Sequence, residues 1–188
     1  MMIPVDFADA QATDRLLTNH PVLMEADAVV HLASVRESTP FADVDADHLL
    51  RHLTANVLPA YLLMRSLGPQ MAERGFGRIV HGSSIGVVFG GGSTHFSYAL
   101  SKHAMEFIPA ICSQWAASNV FVNVVRIGVT DTKGFGSDKS PEQMAQRVAL
   151  IPAKRMAQPM EIAHCLFHLG SEANTFMSGQ TVHLSGGE

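Results

Sequence analysis

Short, nearly continuous apolar runs alternate along the chain with longer stretches whose apolar positions return every three to four residues. The segments "ADAVVHLAS" (26–34), "GRIVHGSS" (77–84) and "VFVNVVRI" (120–127) have the length and pattern of strands buried on both faces. "IPVDF" (3–7) and "QTVHL" (180–184) are shorter candidates of the same kind. Between them, 8–20, 43–73 and 97–118 carry helical spacing, and shorter helices are expected after Pro141 and Pro159. Aspartates enter the 43–73 segment, where negative charge suits a helix N-terminus, and Ser97 is expected to cap the next helix. Pro59 and Pro69 are expected to bend or break the first long helix and Pro109 the second, because proline withholds an N–H and crowds the preceding turn. Strands alternating with helices predict an α/β fold, a parallel sheet with helices on both faces, and no repeat or linker divides it.

In such a sheet the ligand sits at the carboxyl ends of the strands. Those ends are Ala33–Ser34, Ser83–Ser84 and a polar, glycine-containing loop at 128–140 that begins with Gly128–Thr132. Beyond the loop leaving the second of them lies "SYALSK" (97–102), which sets Tyr98 and Lys102 one helical turn apart. A Tyr/Lys pair on a surface helix is the plain reading. Its convergence with Ser83 and Ser84 at one edge of the sheet makes a proton-transfer site the sharper one.

Composition narrows the partners. With 188 residues, 47% hydrophobic and 16% charged, the chain is long and apolar enough for a real core. A net charge of −4 without single-sign runs gives no footprint for nucleic acid or an anionic membrane. No run approaches the ~18 apolar residues of a membrane span, and no leader pattern opens the sequence. Cys112 and Cys165 read as small core residues suited to a reducing compartment, so a cytoplasmic location is expected. The ten histidines include His48/His52 and His164/His168 at i, i+4, a spacing that chelates zinc from one helix face. Neither pair shows a third ligand in the sequence, so no metal is expected. The methionines at 64, 71, 105, 144 and 156 read as core filler.

With "GRIVHGSS…YALSK" in place, the chain resembles the short-chain dehydrogenase/reductase family in its single-domain branch, from about Asp6 to Gly187. "NVLPAYLLMRSL" matches the family's helix asparagine as Asn56, "VFVNVVRIGVTDT" its nicotinamide segment, and "RMAQPMEIAHCLFHLGSEANTFMSGQTVHLSGG" its C-terminal end. The resemblance implies an incomplete Rossmann-like, doubly wound parallel sheet and NAD(P)-dependent interconversion of an alcohol and a carbonyl. It implies Tyr98 as proton donor or acceptor and Lys102 as the cation favouring phenolate. Ser84 would be the hydrogen-bond donor to the reacting oxygen, with Ser83 open as the alternative. Asn56 would stand at a helix break whose freed carbonyls hold a water leading to Lys102. It further implies NAD or NADP contacts at Asp6, Ala33, Tyr98, Lys102, Gly128, Thr130 and Thr132, a small-molecule substrate, and a homo-oligomer built on the two long helices.

Several positions depart from the family pattern. Nothing before Asp6 matches its first strand, glycine-rich turn, first helix and second strand, so the expectation is one Rossmann-like domain, N-terminally truncated relative to the family. "GGGS" (90–93) reads as a substrate-side loop, Ser34 replaces a family glycine and Ile127 a family proline. The strand candidate at 3–7 is expected to return through helix 8–20 into the slot beside 27–33. Two other readings stay open: a non-catalytic subunit of the same family, and a cofactor-free lyase or isomerase using Tyr98 and Lys102 as base.

Overall fold

The computed structural model describes residues 2–132, 135 and 140–188. Four strands, β1 (Ala28–His31), β2 (Gly77–Ser84), β3 (Val120–Ile127) and β4 (Thr181–Leu184), form a parallel sheet in the order β1-β2-β3-β4. The helices are α1 (Ala12–Asn19), α2 (Ala46–Asn56), α3 (Leu58–Arg74), α4 (Phe96–Ala104), α5 (Ile111–Trp115), α6 (Pro141–Leu150) and α7 (Pro159–Leu169). Successive strand residues point to opposite faces, and each face has its own core. Ile79, Val120 and Val122 pack with Leu17, Met64, Leu67, Met71 and Cys112 of α1, α3 and α5. Val80 and Val125 pack with Ile162, Leu166 and Leu169 of α7. The sheet is therefore Rossmann-like, with helices on both sides.

β2 and β3 pair over their whole length, Gly77 with Val120 through Ser84 with Ile127, which brings their carboxyl ends level. Arg78 anchors the opposite end. Its guanidinium is buried between the rings of Phe76 and Phe121, 4.4 Å from each centroid, and donates to the carbonyls of Gly77, Asn119, Ser171 and Asn174.

Three sequence expectations change, at residues 3–7, Pro69 and Ser97, while the breaks expected at Pro59 and Pro109 are present. Residues 3–7 form no strand, so among the described residues β1 pairs only with β2; Phe7 instead sets its ring edge-on to His31, 5.9 Å between centroids. The 43–73 segment breaks at Val57, with Pro59 in the first turn of α3, whereas Pro69 sits inside α3 without ending it. The 97–118 segment divides before Pro109, leaving α4 and α5 separate. Ser97 is the second residue of α4 rather than its cap, and its hydroxyl faces His48 Nδ1 at 3.0 Å.

The loop from β2 to α4 turns through Gly90, Gly91 and Gly92, whose φ values of 60°, 79° and 61° side chains rarely adopt. It is tied to the segment after β1 by Thr39 N–H on Thr94 O (2.8 Å) and Phe41 N–H on Ser93 O (3.1 Å).

Candidate active site

β2 ends on Ser83 and Ser84, and alternation sends their side chains to different surroundings. The Ser84 hydroxyl accepts from Gly86 N–H at 3.1 Å and faces the Tyr98 phenol, favouring its ionised form. Ser83 is buried, donating to Glu106 Oε1 at 2.7 Å and to the Lys102 carbonyl at 3.2 Å. Glu106 is in turn paired with Arg126, Nε to Oε1 at 2.7 Å. Burial alone would raise the Glu106 carboxyl, but the hydrogen bonds from Arg126 and Ser83 hold it below its usual range. Ser83 thus belongs to a structural ion-pair network, and Ser84 is the serine on the phenol.

α4 places Lys102 one turn beyond Tyr98. Its Nζ donates to Gly82 O at 2.7 Å, stands 5.8 Å from the centroid of the Tyr98 ring, and is almost wholly buried. Burial pushes the Lys102 amine down to about 8. Burial also raises the Tyr98 phenol above its ordinary value, against the hydrogen bond with Ser84 and the charge of Arg36. The charge of Arg36, in the loop after β1, acts on the phenol from one side, and the buried Lys102 amine stands beside the ring. At neutral pH Tyr98 is a protonated donor.

Asn56 is the last residue of α2 and fully buried. Its side-chain oxygen accepts from Val35 N–H at 2.7 Å, and its amide donates to Val35 O (3.0 Å) and Ser101 Oγ (2.8 Å). Pro59 has no N–H, so the Ala55 carbonyl four residues earlier receives no helical bond from it. The Asn56 carbonyl at this break is met by His31.

His31 and His81 stand opposite one another in the β1–β2 register, ring centroids 6.0 Å apart. Burial, with the charge of Lys102 contributing, lowers His31 to about 4; burial, His31 and Lys102 lower His81 to about 3. His31 Nε2 and both ring nitrogens of His81 are buried without a hydrogen-bond partner. Both rings are held toward the neutral form by burial and by the charge of Lys102. Neither histidine nor Arg36 is singled out by the sequence; the available signal is a histidine inside each of two apolar strand runs, His31 ending β1 and His81 within β2, and Arg36 has none.

The remaining expected contact residues divide into two groups. Gly128 N–H bonds Leu184 O at 2.8 Å, and a Cβ there would meet the Ser185 Cα at 2.6 Å, so the β3 and β4 ends are held together by close packing. Thr130 donates to Gly128 O at 3.0 Å and bridges to Ala157; Thr132 follows, exposed. Ala33 is exposed just past β1. Asp6 closes a turn by accepting from Ala8 N–H at 3.0 Å, next to Phe7, whose ring meets His31. The hydroxyls of Tyr98 and Thr130 and the Lys102 amine suit the nicotinamide-ribose half of a dinucleotide. The described residues hold no glycine-rich turn leading from a strand into a helix that would suit its pyrophosphate.

Comparison with known proteins gives the family. A family model described as enoyl-(acyl carrier protein) reductase matches residues 1–188. Nodulation protein G of Azospirillum brasilense is 29% identical over 163 residues, covering 86% of this chain and 65% of that protein. An uncharacterized oxidoreductase of Bacillus subtilis is 28% identical over 189 residues, covering 99% and 76%. The crystal structure of 3-oxoacyl-(acyl-carrier-protein) reductase from Agrobacterium tumefaciens with NADP bound superposes with a TM-score of 0.88 at 27% identity, over 97% of this chain and 72% of that one. The chain thus spans about two thirds to three quarters of the length of these relatives. The chain belongs to the short-chain dehydrogenase/reductase family.

Proposed function

We propose that the chain carries the proton-transfer site of an NAD(P)-dependent oxidoreductase interconverting an alcohol and a carbonyl. The observation that carries this reading is the convergence at the carboxyl end of β2 of the Ser84 hydroxyl, which acts on the Tyr98 phenol, and the Lys102 amine, buried one helical turn from Tyr98 and held by Gly82 O at 2.7 Å. When bound, the nicotinamide supplies or accepts the hydride. Everything else falls to this chain. The Ser84 hydroxyl donates to the substrate oxygen, where negative charge develops. The Tyr98 phenol, protonated at neutral pH, gives its proton to that oxygen as the alkoxide forms, and takes one back in the direction of oxidation. Lys102 and Arg36 favour the phenolate left behind, and Asn56 holds segment 35 and Ser101 of α4 in place.

Ser84→Ala is expected to lower kcat by about 10²–10³. Ser83→Ala is expected to cost about 1 kcal/mol of stability through the lost bond to Glu106, with kcat largely kept. Steady-state kinetics and urea unfolding of both variants test the assignment; the reverse pattern would move the site to Ser83.

Among the described residues no helix is long and apolar enough to cross a membrane. The exposed Leu50, Leu100, Phe107 and Ile111 on the α2, α4 and α5 side support a homo-oligomer. A protein of these 188 residues alone is expected to bind NADH and NADPH weakly, with Kd above about 10 µM, since only the nicotinamide-ribose half finds donors. Calorimetry with each dinucleotide checks this, and a Kd near or below about 1 µM would contradict it.

A further inference from the structure

One face of α2 carries His48, His52 and Asn56 at four-residue intervals, all buried. The segment after β1 crosses that face so that alternate residues meet it: Val35 bonds Asn56, Glu37 N–H lies 3.3 Å from His52 Nε2, and Thr39 Oγ1 lies 3.0 Å from His48 Nε2. We propose that Glu37, His48 and His52 form a binding site for a divalent transition metal of the zinc class.

One ligand atom from each of the three lies within 4.8 Å of the other two. Glu37 Oε2 is already 3.4 Å from His48 Nε2, which is about the edge of a tetrahedron whose metal–ligand bonds are about 2.1 Å. The rings are oriented from behind. His52 Nδ1 is 2.9 Å from the His48 carbonyl and donates to it, which makes Nε2 the lone-pair nitrogen. His48 Nδ1 is 3.0 Å from Ser97 Oγ, and a proton on that nitrogen leaves Nε2 open toward Glu37. The two imidazoles form a buried floor, while the Glu37 side chain, 42% exposed, stands at the mouth and leaves water to complete the coordination. Two nitrogens and one carboxylate suit zinc-class ions; magnesium and calcium prefer all-oxygen sites.

What the ion must displace is weak. Arg51 Nη2 is 3.5 Å from Glu37 Oε2 in an exposed pair, and the Thr39 hydroxyl and Glu37 N–H would give up their contacts to the two nitrogens. Metal on His48 would also strengthen its Nδ1 hydrogen bond to Ser97, the residue beside Tyr98, tying the site to the helix that carries the proton donor.

The test is titration of the metal-free protein with Co²⁺, read by its visible d–d absorption, followed by displacement with Zn²⁺. One equivalent with tetrahedral-type bands is expected. Glu37→Gln, isosteric and half exposed, should fold normally and weaken binding at least about tenfold, and His52→Gln should weaken it by about 100-fold. No stoichiometric binding by the wild-type protein would overturn the proposal. So would binding that both variants leave unchanged, which would place the ion on other histidines such as the exposed His164 and His168.

Discussion

Replacing Tyr98 by phenylalanine is expected to lower kcat for carbonyl reduction by about 10²–10⁴ while leaving the unfolding midpoint nearly unchanged. The ring remains to fill its place beside Lys102, and only the hydroxyl that faces Ser84 is lost. The pH dependence carries a second signature. Reduction needs the protonated phenol and benefits from a charged Lys102, whose amine titrates at about 8, so the wild-type reduction rate should fall as pH rises through that value. Lys102→Met should remove that inflection. Steady-state rates of the wild type and both variants across the pH range decide the matter; full activity in Tyr98→Phe would mean that another group moves the proton.

Acid is expected to unfold this protein well before its carboxylates are fully protonated. His31 and His81 are neutral in the fold, at about 4 and about 3, while an unfolded histidine titrates near about 6.5. Between those values the unfolded chain binds more protons than the folded one, so stability is complete above about pH 6.5 and falls as pH drops toward 4 and then 3. The two shifts correspond to losses on the order of 3 kcal/mol for His31 and about 5 kcal/mol for His81, against a domain stability of about 5–15 kcal/mol. Urea midpoints measured from about pH 7 to about pH 4.5 should decline steeply in the wild type. His81→Asn should flatten that decline, because carboxylate titration is common to both proteins and the imidazole is not. Parallel curves for the two would show that His81 is not held neutral by its surroundings.

The reason some elements were legible in the sequence and others were not lies in what each side chain meets. Strands 77–84 and 120–127 appear at their expected residues because both faces of each are buried, and burial on both faces requires a continuous apolar run. "IPVDF" has the same composition at five residues, but a strand needs a partner edge, and Phe7 is used against the His31 ring instead. The Tyr98/Lys102 spacing was readable because four residues on a helix fix a neighbour. The choice between Ser83 and Ser84 was not, since alternation says that they differ and only register says which one faces the phenol. Glu37 and Arg36 sit in a loop with no period to place them. Their partners on α2 and α4 are set by the chain's path from β1 across the helices, which no local pattern encodes.

Transfer of label from NADPH carrying deuterium at the reactive ring carbon to a panel of carbonyl compounds, 3-oxoacyl thioesters among them, tests the proposed reaction most directly. The alcohol product is read by mass spectrometry at high dinucleotide concentration. The account predicts deuterium on the carbinol carbon with the wild-type chain and its loss in Tyr98→Phe and Ser84→Ala. No label transferred by the wild type to any carbonyl in the panel, or equal transfer by all three proteins, would contradict it.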